Sequence, residues 1–150
     1  MVRDRLTIVC SLLNEHGVDY VVAGAYASIL HGLARTTKDV DIFIRKSHLN
    51  IEKALKALTQ LPYHIASEID VEKVLKSPVT IVGDDPRVDL LTALKTVDFE
   101  KAWRHKEMVT IEGVSIPFLS LGDLIRSKDT DRLQDQADRQ FLLRLQKKRS

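Results

Sequence analysis

The sequence has a single cysteine, Cys10, among its 150 residues. A lone cysteine has no partner for an intramolecular disulfide and no second thiolate for a zinc site. The five histidines do not supply such a site either, because none shows the spacing of a His-x-x-x-His zinc motif. The pattern therefore argues against disulfide-stabilised scaffolds and zinc enzymes, and Cys10 is expected in the core of a helix.

Long apolar runs are missing as well. No stretch reaches the roughly 18 apolar residues that span a bilayer, and the first residues lack the apolar core of a signal peptide. The sequence therefore predicts a cytoplasmic protein that does not contact a membrane.

An excess of one charge is also absent, since 23 lysines and arginines nearly balance 21 aspartates and glutamates for a formal net charge of +2. This balance does not by itself indicate a nucleic-acid-binding protein. The C-terminal end is basic, with Arg144, Lys147, Lys148 and Arg149, which is typical of a solvated helix end and is also compatible with nucleic-acid contact.

The composition, with 44% hydrophobic residues, is that of an ordinary globular chain, and the length fits one core. We expect one domain over residues 1–150, with C-terminal helices from about residue 120.

Hydrophobic spacing predicts the order of elements in the first half of the chain. Val2, Leu6, Val9 and Leu13 indicate a helix that ends near Gly17. A strand over 18–23, a glycine turn at Gly24 and a short helix over 25–30 follow. After a polar stretch, the pattern predicts a strand over 39–44 and then a helix that begins at Ser47 and is ended by Pro62.

The second half contains two predicted hairpins. The first joins 79–82 to 87–91, and the second joins 108–111 to 114–118. Residues 71–75 fit a helix or a strand. From Ser120 onward the chain is predicted to be helical, and its apolar positions are Leu133, Ala137, Phe141 and Leu145.

Asp39 and Asp41 are the first candidates for chemistry, because they lie two positions apart on a predicted strand. Their side chains then leave the same face, with Cα atoms roughly 6.5 Å apart. Such an arrangement lets two carboxylates share one cation, and Mg²⁺ held by carboxylates and substrate phosphates would offset their charge. The alternative is a pair of solvated aspartates at a strand edge.

Gly24 is the second candidate, because it lies where a predicted strand meets a predicted helix. Free backbone N–H groups and the helix dipole at such a junction attract phosphate. The alternative is an ordinary turn glycine.

These residues belong to a longer pattern. Segment 22–42 contains Gly24-Ala25-Tyr26-Ala27, His31-Gly32, Arg35-Thr36-Thr37 and Asp39-Val40-Asp41-Ile42. It resembles the signature of the DNA polymerase beta-like nucleotidyltransferase superfamily. It looks most similar to small bacterial members, a group that includes abortive-infection nucleotidyltransferase toxins and many uncharacterised proteins.

The resemblance implies an α/β (α+β) fold, in which a mixed and mostly antiparallel sheet is flanked by helices. It also implies that Gly24 and the following backbone, including Ala25, receive the triphosphate of an NTP. Asp39 and Asp41 would bind Mg²⁺ or Mn²⁺ with the nucleotide. The third carboxylate would be Asp89, which with a second metal helps deprotonate the attacking hydroxyl, and Asp84 or Asp85 is the alternative.

Ala25 departs from the pattern, because the family usually has glycine or serine at that position. Arg35, Thr36 and Thr37 precede the aspartates and are candidates for phosphate contacts through charge and hydroxyl groups. The alternative is an exposed polar loop. Lys128 fits a nucleotide contact or a solvated lysine equally well.

Two further residues have a structural and a functional interpretation. His31 fits either a packing role in the short helix or a place near the site, and Trp103 is more typical of a core than of a platform for base stacking.

The function implied is transfer of a nucleoside monophosphate from an NTP to an acceptor hydroxyl, with release of pyrophosphate. The acceptor class, whether RNA, protein or small molecule, stays open. The short chain leaves little room for acceptor recognition, which favours a homo-oligomer or a partner chain. The alternative is a catalytically weak nucleotide-binding or partner-binding module of a toxin–antitoxin pair.

Overall fold

The computed structural model describes residues 4–150, so the predicted helical position Val2 lies outside the described residues. The helices are α1 (Arg5–Glu15), α2 (Gly24–Leu30), α3 (His48–Leu58), α4 (Val71–Lys76), α5 (Phe99–His105), α6 (Leu121–Ser127) and α7 (Leu133–Arg149). The strands are β1 (Tyr20–Ala23), β2 (Asp39–Ile44), β3 (Val79–Asp84), β4 (Arg87–Leu91), β5 (Glu107–Ile111) and β6 (Val114–Phe118).

The six strands of the described residues form one sheet in the order β3-β4-β2-β1-β6-β5. The pairs β1–β2, β3–β4 and β5–β6 are antiparallel, whereas β2–β4 and β1–β6 are parallel. Helices pack against this sheet, with α1 against β6 and α5 against β1. The predicted mixed, mostly antiparallel sheet flanked by helices is confirmed.

The core forms where the apolar runs of the sequence meet. All four residues of β1 are buried, and in β2 burial begins after Asp39 and is complete from Ile42 to Ile44. Helix α1 covers these strands with a face that contains Leu6, Val9 and the fully buried Cys10, as expected. The buried apolar residues of β1 and β2 thus hold in place the strand from which Asp39 and Asp41 project.

Several element boundaries differ from the sequence expectation. Helix α3 begins after Ser47, whose side chain accepts a hydrogen bond from the Asn50 N–H, but it ends at Leu58. Pro62 begins a 3₁₀ segment, Pro62–Glu68, instead of ending the helix directly. Residues 71–76 are helical, which resolves that ambiguity. Helix α5 was not predicted, although the Asp98 side chain caps it by accepting from the Lys101 N–H.

The predicted apolar face of the last helix is wrong in its first half. Leu133 is 81% exposed, and Ala137 is also exposed. The buried residues of α7 are Asp135, Asp138 and Leu142, because the start of this helix packs its acidic side against cationic side chains. No described helix has both the length and the apolar composition needed to cross a bilayer.

Candidate functional site

A cavity of about 550 Å³ opens beside the N-terminal ends of β2 and β4. It is bordered by the start of α2, the loop before β2 and the segment that joins α6 to α7. Thr36 does not line it, but eight of the candidate site residues from the sequence do: Gly24, Ala25, Arg35, Thr37, Asp39, Asp41, Asp89 and Lys128. The structure therefore brings together residues that are more than one hundred positions apart in the chain.

The strand register places the three carboxylates next to one another. Asp41 lies directly opposite Asp89 in the parallel β2–β4 pair, and Asp39 lies opposite Arg87. Residues that face each other across a sheet point to the same side, roughly 5 Å apart. Val88 and Leu90 on either side of Asp89 are fully buried on the opposite face. The alternative third carboxylates, Asp84 and Asp85, do not line the cavity.

The proximity of these carboxylates changes the acidity of Asp41. Burial first, and then the negative charges of Asp89 and Asp39, raise the pKa of Asp41 to about 6, while Lys128 opposes the shift. Ionisation of Asp41 therefore costs more free energy in the metal-free protein than it does for a free aspartate side chain.

This pKa predicts a pH-dependent stability. The folded value near 6 exceeds the ordinary value of 3.8, so between about pH 4 and pH 6 the folded state binds more protons than the unfolded state. The free energy of unfolding therefore falls as the pH rises through this window. Because asparagine does not ionise, Asp41→Asn should stabilise the metal-free protein at pH 7.5 by about 2 kcal/mol, after a discount for partial exposure.

The measurement is urea denaturation in EDTA at pH 4 and at pH 7.5. Asp84→Asn is the matched control, since Asp84 is exposed and lies outside the cavity. The Asp41 variant should gain stability at pH 7.5 only. An equal gain at both pH values would mean that ionisation of Asp41 is not the cause.

Gly24 packs directly against Asp41. Its backbone has φ +62°, and a Cβ built on it would lie 2.0 Å from Asp41 Oδ2. A side chain at position 24 would therefore both strain the backbone and displace the carboxylate. The residue before it, Ala23, makes no side-chain cap to α2. Position 24 thus has no room for a side chain while the Asp41 carboxylate keeps its place.

Buried charges connect the C-terminal helix to the cavity. Asp138 Oδ2 accepts a hydrogen bond from Arg35 Nη1 at 2.7 Å and from Lys128 Nζ at 3.1 Å. Lys128 also pairs with Asp135 Oδ1 at 3.5 Å, and its side chain is only 7% exposed. The solvated-lysine interpretation of Lys128 is therefore wrong, and so is the exposed-loop interpretation of Arg35.

Sequence reasoning missed Asp135 and Asp138. Asp135, Asp138 and Leu142 share one helix face by their spacing. The spacing alone does not show that this face buries acids, and the need of buried acids for cationic partners applies only once the structure shows their burial.

The remaining candidates have local structural roles. The Asp39 N–H donates to Thr37 Oγ1 at 3.3 Å, which orders the entry to β2, whereas Thr36 is exposed. His31 is buried, and its Nε2 lies 2.8 Å from the Leu119 carbonyl oxygen, so it packs α2 against the chain after β6. Trp103 stacks with Phe99 and does not line the cavity. The basic residues at the C-terminus are exposed in the last turns of α7.

The donor set suits a hard cation. Within residues 4–150, no three histidine, cysteine, aspartate or glutamate side chains are already arranged around a common metal position. Arg87 Nε instead donates to Asp89 Oδ1 at 3.1 Å. Mg²⁺ is usually held by one or two carboxylates together with substrate phosphates, so the adjacent Asp41 and Asp89 fit this mode of binding.

Comparison with known proteins shows the family and the fold of the chain. A family described as "nucleotidyl transferase of unknown function (DUF2204)" matches residues 2–148. The crystal structure of a putative nucleotidyltransferase from Thermotoga maritima superposes with a TM-score of 0.53 at 16% sequence identity, over 95% of this chain and 89% of that chain. At this identity the likeness shows the fold alone. No curated protein matches the chain. Because the family match spans nearly the whole length, the chain belongs to this nucleotidyl transferase family.

Proposed function

We propose that the chain transfers a nucleoside monophosphate from an NTP to an acceptor hydroxyl and releases pyrophosphate. The observation that carries the proposal is the register that sets Asp41 opposite Asp89 in a cavity shared with Gly24, Arg35 and Lys128. The family description supports the reaction class. The wider resemblance to DNA polymerase beta-like enzymes supports it through the motif in segment 22–42.

The phosphate end of the cavity is assigned to Gly24, Ala25, Arg35, Thr37 and Lys128. Arg35 carries five N–H donors and Lys128 carries three. The contacts with Asp138 and Asp135 use one donor of Arg35 and two of Lys128, so both retain donors for phosphate oxygens. The buried acids therefore hold these cations in place without exhausting them.

The three carboxylates are assigned to the end of the cavity where the reaction would take place. Asp39 and Asp41 would hold Mg²⁺ or Mn²⁺ together with the triphosphate, and Asp89 would hold only the second metal, beside the acceptor hydroxyl. Bound there, the cation would offset the negative charge that develops on the reacting phosphate. Asp89 receives the proton of the acceptor hydroxyl. The acceptor oxygen forms a bond to the α-phosphorus, the bond from that phosphorus to the bridging oxygen breaks, and pyrophosphate leaves.

A second function, nucleotide or partner binding without efficient turnover, is favoured by two observations. Ala25 supplies no hydroxyl group to a phosphate, and Asp89 is already bonded to Arg87. In that case the chain would be one half of a toxin–antitoxin pair in the cytoplasm. A homo-oligomer or a partner chain would complete it.

The test is incubation of the chain with each α-labelled NTP, Mg²⁺ and separated RNA, protein and small-molecule fractions of a cell extract. Label should appear in one fraction, and pyrophosphate should be released in equal amount. Asp41→Asn and an EDTA sample are the controls. Tight nucleotide binding with no labelled product in any fraction would favour the second function.

Gly24→Ala should lower NTP affinity by about tenfold while the protein stays folded, because the new Cβ displaces the Asp41 carboxylate. Gly113→Ala is the matched control. Gly113 also has a positive φ, of +79°, but a Cβ there meets nothing within 4 Å. Titration calorimetry with Mg²⁺-NTP measures both, and circular dichroism checks the fold. Equal affinity losses in the two variants would show that backbone strain, not contact with Asp41, is the cause.

A further inference from the structure

Arg87 contacts the carboxylate that the proposed function assigns to the acceptor. It begins β4, two residues before Asp89, so both side chains leave the same face of the sheet. Its Nε donates to Asp89 Oδ1 at 3.1 Å, and across the strand pair it lies opposite Asp39. Arg87 thus lies beside two of the three carboxylates.

The other cations that line the cavity are placed differently. Arg35 and Lys128 are bonded to Asp138 of α7. Lys95 and Arg132 also line the cavity, but within the described part of the chain neither forms an ion pair. Among these side chains, only Arg87 touches one of the three clustered carboxylates.

We propose that Arg87 is an internal counter-ion of Asp89 and that it competes with a divalent cation for this carboxylate. A Mg²⁺ ion bound to a carboxylate oxygen lies about 2.1 Å from it and would repel a guanidinium on the same group. The side chain of Arg87 is 47% exposed and that of Asp89 only 13%, so Arg87 is the partner that can move away into solvent.

The competition has a consequence for the reaction. Without the cation, Asp89 is bonded to Arg87 and is not free to accept the proton of an acceptor hydroxyl. The inference rests on the proposed function, because the competing cation is the one that this function requires. It deepens that function by making release of Asp89 depend on metal binding.

Two substitutions distinguish the effect of the Arg87–Asp89 hydrogen bond from the effect of the positive charge of Arg87. Arg87→Gln removes both the charge and the bond, whereas Arg87→Lys keeps the charge but removes the Nε–H donor. Lys95→Gln is the control, because it removes one positive charge from the same cavity without breaking an ion pair. The measurement is Mn²⁺ binding to the nucleotide-free protein at low salt, followed by the electron paramagnetic resonance signal of free Mn²⁺.

Mn²⁺ affinity should rise about fivefold in Arg87→Gln and about twofold in Arg87→Lys, because an exposed ion pair contributes little free energy. In Lys95→Gln it should rise by less than in either Arg87 variant. The increases should shrink with added salt. Equal increases in Arg87→Gln and Lys95→Gln, with unchanged binding in Arg87→Lys, would overturn the competition but leave the metal-dependent function standing. Absence of Mn²⁺ binding in wild type and all variants would instead refute the metal chemistry of the proposed function, and the competition with it.

A second measurement tests the Arg87–Asp89 contact itself. In EDTA, thermal unfolding of Arg87→Gln, Asp89→Asn and the double variant forms a mutant cycle. The proposal expects the double variant to differ from the sum of the single changes. Additive shifts in melting temperature would show that the Arg87–Asp89 bond does not form in solution.

Discussion

Asp138→Ala should destabilise the protein by about 3 kcal/mol or more, because it leaves buried cationic groups without their main partner. The Asp138 carboxylate is only 3% exposed and accepts from Arg35, Lys128 and Gln134. After the change, Lys128 keeps only Asp135, at 3.5 Å. The measurement is the free energy of unfolding from urea denaturation.

Two further variants test the cause. Asp131→Ala is the control, since Asp131 is exposed in the segment before α7 and should shift stability by less than about 0.5 kcal/mol. Replacing all three together, as Arg35→Met and Lys128→Met with Asp138→Leu, should recover most of the loss, because apolar residues of similar size often replace a buried ion-paired group at little cost. If the triple variant is as unstable as Asp138→Ala alone, loss of packing and not an unpaired charge explains the effect.

The sequence predicted the parts of the site that depend on local pattern. Strand β2 follows from an apolar run after Asp39, and the hairpin that carries Asp89 follows from the turn formers between residues 82 and 87. The position of Gly24 between a strand and a helix is equally local. These patterns specify which residues project from strand ends, so Asp39 and Asp41 follow from the pattern itself, whereas Asp89 followed from the family resemblance.

The contacts that hold the cavity together are non-local and were not predicted. Arg35 and Asp138 are 103 positions apart, and no periodicity in either segment indicates that they meet. The spacing of apolar residues predicted that Leu133 and Ala137 would form the buried face of α7. The prediction was wrong because a hydrophobic pattern does not reveal a helix face that buries charged side chains. The Arg87–Asp89 bond was missed for a different reason, since an arginine at a strand end is normally solvated.

The sheet register also gives the three carboxylates different expected roles in transfer. Asp41 lies between the Gly24 turn and Asp89, so in the proposed reaction it would face both the triphosphate and the acceptor hydroxyl. Asp89 lies one strand farther out, away from Gly24. Asp41→Asn should therefore weaken nucleotide binding and lower transfer by about 10³-fold, because both depend on its charge.

Asp89→Asn should separate the two measurements. If Asp89 serves only the acceptor hydroxyl, nucleotide affinity should stay within about twofold of wild type while single-turnover transfer falls by roughly 10²-fold, the scale of a lost general base. Asp84→Asn, at the outer end of the same hairpin, is the control and should leave both quantities unchanged. If Asp89→Asn transfers normally, or loses nucleotide affinity to the same extent as Asp41→Asn, then Asp89 is not the base and the order of roles along the sheet is wrong.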